Sequence, residues 1–270
     1  MSEDAQKVNG FVYVIESPAD MDILNGQSEG LVLCNALQLA RIPFTYSLVT
    51  SPRTFQLCLQ ERLGQAIAAQ QGRLPILHFS MHGNEHGICL SSGDFLSWAD
   101  LRAALAPLND AMKGALLISM SSCNGGNGGI MAMHEEDSQV FWALVGNSGS
   151  ALWSDAAVAY VTFYHLFFKG RELQECVNAM RIASGDERFL VLFGKDIKQT
   201  WIGFKQKQMQ EMAEALQANG GGGALAQLFT QAPEGVSNEP PAPTQPVPGQ
   251  KVLDGSLLDF QAGMSPSSGG

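Results

Sequence analysis

The sequence predicts an α/β fold of three layers, in which a mostly parallel central sheet carries helices on both faces. Two observations predict it. Apolar runs of strand length alternate along the chain with segments of helical periodicity, which is typical of βαβ units. The runs are also apolar throughout rather than at every second position, as expected for strands that are buried on both sides.

Each element follows from its local residue types. β-branched and aromatic runs bounded by turn residues predict strands at 11–18, 43–50, 74–81 and 115–121. Amphipathic segments between them predict helices at 29–41, 53–71 and 98–112, the last with Asp100 near its start. A strand follows each helix, so consecutive strands are expected to be parallel.

Composition divides the chain into three parts. Of the 270 residues 45% are hydrophobic and 16% charged, which is typical of a globular protein with a large core. Residues 1–10 are predicted to be a flexible N-terminus and residues 11–230 a single domain. Residues 231–270 are rich in Pro, Gly and Ser, and such a segment is predicted to be a disordered tail because it buries little apolar surface.

Charge and cysteine content exclude several classes of function. The net charge of −10 argues against binding to nucleic acid or to an anionic membrane, because both require clustered Lys and Arg. The first residues lack a signal-peptide pattern, and no apolar run reaches the roughly 18 residues of a membrane helix. Five irregularly spaced cysteines do not form a disulfide pattern, so a cytoplasmic location is predicted.

Two predicted strands end in residues that carry chemistry. The strand at 74–81 is followed by His82 and Gly83, and the strand at 115–121 by Ser122, Cys123 and a glycine-rich stretch. Because the carboxyl ends of parallel strands lie at one edge of a sheet, the imidazole and the thiol are expected to meet there. A Cys-His pair suits nucleophilic acyl chemistry. We expect glycines at 125 and 126 to let a substrate backbone approach.

The segments HFSMHGNEHGICLSSGDFLSWADLRAAL and ALLISMSSCNGG resemble the caspase-like cysteine peptidases. The similarity is greatest to their bacterial CHAT-domain branch, which is related to caspases and separase, and it extends over roughly 11–194, including a last strand at 189–194. It implies a caspase-like sandwich with Cys123 as nucleophile and His82 as acid/base, while N–H groups of Gly83 and Cys123 form the oxyanion hole. Asn124, which follows Cys123, departs from the family pattern.

The resemblance also implies a function. It predicts an endopeptidase that cleaves a protein or peptide substrate without metal or cofactor, of a kind used in regulated bacterial defence or cell death. Uncontrolled proteolysis would damage the cell, so regulation is expected, by a regulatory protein partner, by a self-cleavage event or by the tail. By the same resemblance Asp155 borders the substrate pocket, where its carboxylate would favour Arg or Lys before the cleaved bond. Asp155 also suits a helix N-terminus. We expect no preference for Asp in the substrate, because no Arg lies near either motif in sequence.

Three alternatives stay open. His82, Glu85 and His86 match the H-x-x-E-H pattern of zinc hydrolases, although that pattern requires a helix and here follows a strand. The glycines at 125–129 could hold a phosphate group, but neither a Lys-Ser nor a Lys-Thr pair follows them. The domain could also be a non-catalytic caspase-like interaction module in a larger complex.

Overall fold

The computed structural model describes residues 8–218. Its strands are β1 (Gly10–Ser17), β2 (Phe44–Leu48), β3 (Leu74–Met81), β4 (Gly83–Asn84), β5 (Gly87–Cys89), β6 (Phe95–Ser97), β7 (Leu117–Ser121), β8 (Ala143–Asn147) and β9 (Phe189–Phe193). Its α-helices are α1 (Asp20–Leu24), α2 (Glu29–Leu39), α3 (Pro52–Leu57), α4 (Leu63–Ala69), α5 (Trp98–Ala111), α6 (Trp153–Phe167), α7 (Leu173–Ser184) and α8 (Gly194–Ala218).

A six-stranded sheet has the strand order β2-β1-β3-β7-β8-β9. The first five strands are parallel, and β9 is antiparallel to β8. Strands β4, β5 and β6 form a small separate antiparallel sheet that directly follows β3. The predicted α/β class with a mostly parallel central sheet is therefore confirmed.

Two apolar cores lie on opposite faces of the large sheet. Along β1 the side chains of Phe11, Tyr13 and Ile15 belong to one core, and those of Val12 and Val14 to the other. Alternation is expected because successive strand residues point to opposite faces. Residues of α3, α4 and α5 complete the first core, and residues of α2, α6 and α7 the second. This double burial explains why the strands are apolar at consecutive positions.

The helix predicted at 53–71 contains an irregular turn. A π-helical turn, Cys58–Arg62, joins α3 to α4 without a break in the helical path. The glycine-rich stretch after Cys123 forms a 3-10 helix, Gly125–Ala132, packed beneath β7 and β8. The sequence did not predict either feature.

The chain divides into two units, Met1–Met212 and Ala213–Gly270. Of the second unit the structure describes residues 213–218, which are helical. The predicted tail at 231–270, its boundary at 230, and residues 1–7 of the predicted N-terminal segment lie outside the described residues and stay predictions. Within 8–218 no helix has the length and apolar character needed to cross a membrane.

Candidate active site

The site is built on two neighbouring parallel strands, β3 and β7. Their register pairs Ser80 with Ser121 as the last residues at the carboxyl edge. His82 and Cys123 each follow two residues later, so the register brings them to the same place on the edge. Both side chains line one small cavity of about 30 Å³. The structure thus brings together the two residues that the sequence placed about forty positions apart.

The imidazole of His82 is held by a carboxylate. Its Nε2 atom lies 2.6 Å from Oδ2 of Asp22, and the two side chains are 42% and 18% exposed. The same oxygen accepts a hydrogen bond from the backbone N–H of Ala19 at 3.0 Å, which fixes the carboxylate at the start of α1. With Nε2 engaged by Asp22, Nδ1 is the ring nitrogen of His82 left for a reaction.

Sequence reasoning missed Asp22; the acid nearest to His82 in the sequence is Glu85. The strand order would have indicated the position of Asp22. Strand β1 pairs with β3 along its full length, so the residues that follow β1 reach the same sheet edge as His82. Asp22 lies five residues after the last residue of β1. The backbone carbonyl of Glu85 instead accepts a hydrogen bond from the indole of Trp98 at 2.8 Å.

The thiol of Cys123 is half-buried, with its Sγ atom 4.0 Å from the carbonyl oxygen of Ala151. Within the described residues no hydrogen bond joins it to His82. Asn124 adopts a left-handed conformation (φ 55°) and donates its N–H to the carbonyl of Gly149 at 2.8 Å. Asn tolerates this conformation better than most residues, which accounts for an Asn directly after the cysteine.

Gly83 lies against the backbone of Cys123. A Cβ atom added at Gly83 would be 3.1 Å from the Cys123 carbonyl oxygen and 3.0 Å from that of Gly87. The position therefore leaves little room for a side chain. The two residues predicted to form an oxyanion hole are thus neighbours in space, at the start of β4 and just after β7.

The wall of the cavity opposite the strands comes from the start of α6. Trp153 and Ala156 line it, and the Trp153 ring lies 5.5 Å from the His82 ring between centroids. Asp155 is half-buried in the first turn of this helix, and its Oδ1 accepts a hydrogen bond from Ser154 at 3.2 Å. It is not among the residues lining the cavity. A negative charge there favours the helix N-terminus.

Arg188, just before β9, comes close to the site, contrary to the expectation that no arginine would. Asp186 accepts hydrogen bonds from Nε and Nη2 at 2.8 and 2.9 Å, and the carbonyl of Ser150 accepts another from Nη2 at 2.8 Å. The hydrogen bonds that Arg188 donates to Asp186 raise the pKa of Arg188. The charges of Cys123 and Asp155 raise it to a smaller extent. This placement was not predictable from local sequence, because 65 positions separate Arg188 from Cys123.

The expectation that Gly125 and Gly126 face a substrate is wrong. Both are buried, and a Cβ added at Gly125 would be 2.6 Å from the carbonyl oxygen of Met120. One added at Gly126 would be 3.2 Å from the carbonyl of Asn147. These glycines allow the 3-10 helix to pack closely against strand ends, and this packing accounts for them without a phosphate group.

The H-x-x-E-H segment adopts a hairpin turn rather than a helix. Glu85 and His86 occupy the turn between β4 and β5, and the His86 side chain is 75% exposed. Its Nε2 lies 3.4 Å from the carboxylate of Glu85, while His82 points to Asp22 instead. In residues 8–218 no group of three or more His, Cys, Asp or Glu side chains is arranged to hold a metal ion.

A buried carboxyl group lies beside the cavity, at Glu29 in the first turn of α2. Its oxygens accept hydrogen bonds from Ser80 at 2.6 Å and from Ser121 at 2.9 Å. Burial raises the pKa of Glu29 to about 7, against a smaller opposite effect of the serine hydroxyls. Nε2 of His78 lies 3.9 Å away, and burial lowers the pKa of His78 to about 3.

Comparison with known proteins gives limited similarity. No protein family and no curated protein is matched by the sequence. Two solved structures are similar over 72% of this chain. One is the crystal structure of the Arg-specific cysteine proteinase gingipain R (RgpB), with 12% identity, a TM-score of 0.43 and 48% of that chain covered. The other is the complex of the pro- and mature domains of Porphyromonas gingivalis RgpB, with 11% identity, a TM-score of 0.42 and 49% covered. The chain thus spans about half the length of each.

Proposed function

We propose that this protein is a cysteine endopeptidase of caspase-like fold, in which Cys123 is the nucleophile and His82 the acid/base. The observation that carries the proposal is the placement of both side chains two residues beyond a registered pair of parallel strands, around one cavity. Asp22 adds a third group in the arrangement expected for an oriented catalytic imidazole. A thiol, an imidazole and a carboxylate in this order can perform acyl transfer.

The reaction proceeds in two steps. The Cys123 thiol gives its proton to Nδ1 of His82, and the resulting thiolate attacks the carbonyl carbon of the peptide bond. The C–N bond breaks as His82 returns the proton to the leaving amine, which leaves a thioester on Cys123. Water then attacks the thioester, the acid product leaves, and the thiol is restored. Asp22 stabilises the positive charge that forms on His82 between these transfers.

The oxyanion of the tetrahedral intermediate is assigned to the backbone N–H groups of Gly83 and Cys123. Their close approach supports this assignment. Removing one such donor typically costs about 100- to 1000-fold in rate, so the two groups are expected to account for a large part of the catalysis.

Asp155 is proposed to select the residue before the cleaved bond. Its neighbour Ala156 lines the cavity, and no Lys or Arg of residues 8–218 forms a salt bridge with its carboxylate. Arg188 is held by Asp186 and Ser150 and forms no salt bridge with Asp155, so the Asp155 carboxylate can attract a substrate Arg or Lys. A peptide-library profile tests this: Asp155→Ala should weaken an Arg or Lys preference, and an apolar preference in the wild type would contradict it.

The proposed activity is tested with a proteome-derived peptide library and mass spectrometry. Wild-type protein should produce new peptide termini, and Cys123→Ala and His82→Ala should produce none. Cys89→Ala is a matched control, because Cys89 is also half-buried and free but lies in β5 outside the cavity. Cleavage that persists in Cys123→Ala contradicts the assignment. No cleavage by any form favours the non-catalytic interaction module.

The proposal extends to the branch of the family, the biological role and the cellular compartment. We assign the protein to the bacterial CHAT-type branch, with a role in defence or regulated cell death under control of a protein partner. All five cysteines are free thiols, which suits a reducing compartment such as the cytoplasm. Expression in a bacterium under phage challenge, with Cys123→Ala as the comparison, tests the role: equal survival of both strains contradicts it.

A further inference from the structure

The sheet face that leads to the site becomes polar along two neighbouring strands. Opposite residues of β3 and β7 on this face form three pairs: Ile76–Leu117, His78–Ser119 and Ser80–Ser121. Side chains two residues apart on a strand share a face, so the row continues towards His82 and Cys123. All six side chains are buried. A buried polar row is costly unless it has partners, so the group that satisfies the serines matters.

Glu29 is the partner of Ser80 and Ser121. It is buried at the first position of α2, accepts the Ser80 hydroxyl on Oε2, and accepts the Ser121 hydroxyl on both oxygens. The side chain of Glu29 therefore bridges the C-terminal ends of β3 and β7. It also lines the cavity that His82 and Cys123 line.

We propose that Glu29 is a positioning residue of this site: by accepting both serine hydroxyls it fixes the separation of the strand ends that carry His82 and Cys123. The inference rests on the proposed peptidase function, since the separation matters when the two side chains act on one substrate. A misplacement of about 1 Å can lower a rate about 100-fold. Hydrogen bonds to an ionised carboxylate are the stronger kind, which suits the group to this role.

The protonation of Glu29 changes the bridge. A carboxylate accepts at both oxygens, whereas a protonated carboxyl must donate at one of them. Burial raises the pKa of Glu29 to about 7, so the bridge differs on the two sides of neutral pH. The titratable groups around Glu29 are Glu16 of β1, His78 of β3, Tyr160 and Tyr164 of α6, and His82 and Cys123 across the cavity.

A purely structural role predicts a different outcome from a positioning role. An ionised buried carboxylate lowers stability, so Glu29→Gln should keep or raise the melting temperature at pH 8. A residue present only for stability would lose melting temperature on replacement. Loss of rate together with unchanged or increased stability is therefore the signature of positioning.

The first measurement is the pH profile of peptide cleavage by the full chain. Glu29→Gln should lower kcat by about 10- to 100-fold, leave KM within about twofold, and remove the inflection that Glu29 adds near pH 7 to the pH dependence due to His82. Glu16→Gln is the matched control: Glu16 is buried and accepts hydrogen bonds from Ser28 and from Gly30 at the start of the same helix, but none from Ser80 or Ser121. Since the Glu16 charge raises the pKa of Glu29, this control should retain the inflection and move it to lower pH.

The second measurement needs no peptidase activity, so it separates this inference from the proposed function. The rate of Cys123 alkylation by iodoacetamide is followed against pH by mass spectrometry. The component that Glu29 contributes near pH 7 should be present in the wild type and absent in Glu29→Gln, while the pH dependence due to His82 is common to both. Ser80→Ala and Ser121→Ala should each change it in the same direction, which keeps the test valid if Glu29→Gln does not fold. Identical profiles in the wild type and the folded variants, with equal kcat where cleavage is observed, would overturn the inference.

Discussion

Nε2 of His82 lies 2.6 Å from Oδ2 of Asp22, although the two residues are 60 positions apart. The contact joins the loop after β1 to the residue that follows β3, and it exists because these strands are direct neighbours in the sheet. An exposed imidazole has several orientations available, and a carboxylate on one nitrogen selects among them. The orientation of the proposed acid/base therefore depends on a helix of five residues, α1.

Replacing Asp22 tests this dependence. Asp22→Asn keeps the size of the side chain but removes the charge that stabilises the imidazolium, so kcat/KM should fall by about 10- to 1000-fold. Melting temperature should change little, because the Asn side chain keeps an oxygen that can accept the hydrogen bond from the Ala19 N–H. Asp20→Asn, an exposed acid in the same turn, should leave kcat/KM unchanged. Equal kinetics of the two variants would show that Asp22 does not orient His82.

Packing of the 3-10 helix is tested at Gly125. A methyl group at Gly125→Ala would lie 2.6 Å from the Met120 carbonyl oxygen, so the free energy of unfolding should fall by about 1–3 kcal/mol. Gly203 of α8 is the control, because a Cβ there meets nothing within 4 Å. Gly203→Ala should raise the free energy of unfolding by about 0.5–1 kcal/mol. Chemical denaturation measures both, and an unaffected Gly125→Ala would contradict the packing.

The buried Glu29 predicts a pH dependence of stability. Its pKa rises from 4.5 to about 7 on folding, so between these values the folded chain holds a proton that the unfolded chain has lost. The contribution of Glu29 is therefore full below pH 4.5 and decreases as the pH rises towards 7, by up to about 3 kcal/mol. Denaturation across this range should show the wild type losing stability relative to Glu29→Gln. If the difference in free energy of unfolding between the wild type and Glu29→Gln did not change with pH, the raised pKa of Glu29 would be contradicted.

His78 acts in the opposite direction and provides a check. Its pKa falls from 6.5 to about 3 on folding, so its contribution is full above pH 6.5 and is lost as the pH falls. Glu29→Gln retains His78 but lacks the opposing effect of Glu29. As the pH falls from 6.5 to 4.5, the free energy of unfolding of this variant should therefore decrease more steeply than that of the wild type. In the wild type the two slopes partly cancel between pH 4.5 and 6.5.

The role of metal is tested by a chelator. The proposed mechanism uses only side chains and backbone, so cleavage should survive incubation with EDTA. His86→Ala should cleave at the wild-type rate, since His86 is exposed at the hairpin turn and 75% accessible. Activity that disappears with EDTA and returns with Zn²⁺ would revive the zinc-hydrolase alternative.

The sequence contained most of what defines the sheet. Continuous apolar runs predicted β1, β3 and β7 closely, because burial on both faces leaves a strong local pattern. The partly exposed edge strand β2 was predicted from its β-branched and aromatic residues. The sequence also placed His82 and Cys123 at one edge, since parallel connections require this. Relationships between distant segments were not predictable. Asp22, Glu29 and Arg188 reach the site only through strand order and helix placement, which depend on packing across the whole domain.

Two local patterns could have been interpreted better. A serine lies two residues before His82 and another two residues before Cys123, which suggests a shared polar face that requires a buried partner. The glycines after Cys123 suggested open backbone, yet a glycine serves close packing equally well, and only the neighbouring atoms distinguish the two.

The central claim is that Cys123 acts as a nucleophile with His82, and selective labelling tests it most directly. A peptidyl acyloxymethyl ketone requires both a reactive thiol and a substrate pocket. Burial raises the pKa of Cys34 to about 12 and that of Cys176 to about 11, and it also raises those of Cys58 and Cys89, so these thiols should react slowly. Intact-mass and peptide-mapping analysis should show one adduct, on Cys123, formed much more slowly in His82→Ala. Labelling spread over several cysteines, or an equal rate in His82→Ala, would contradict the account.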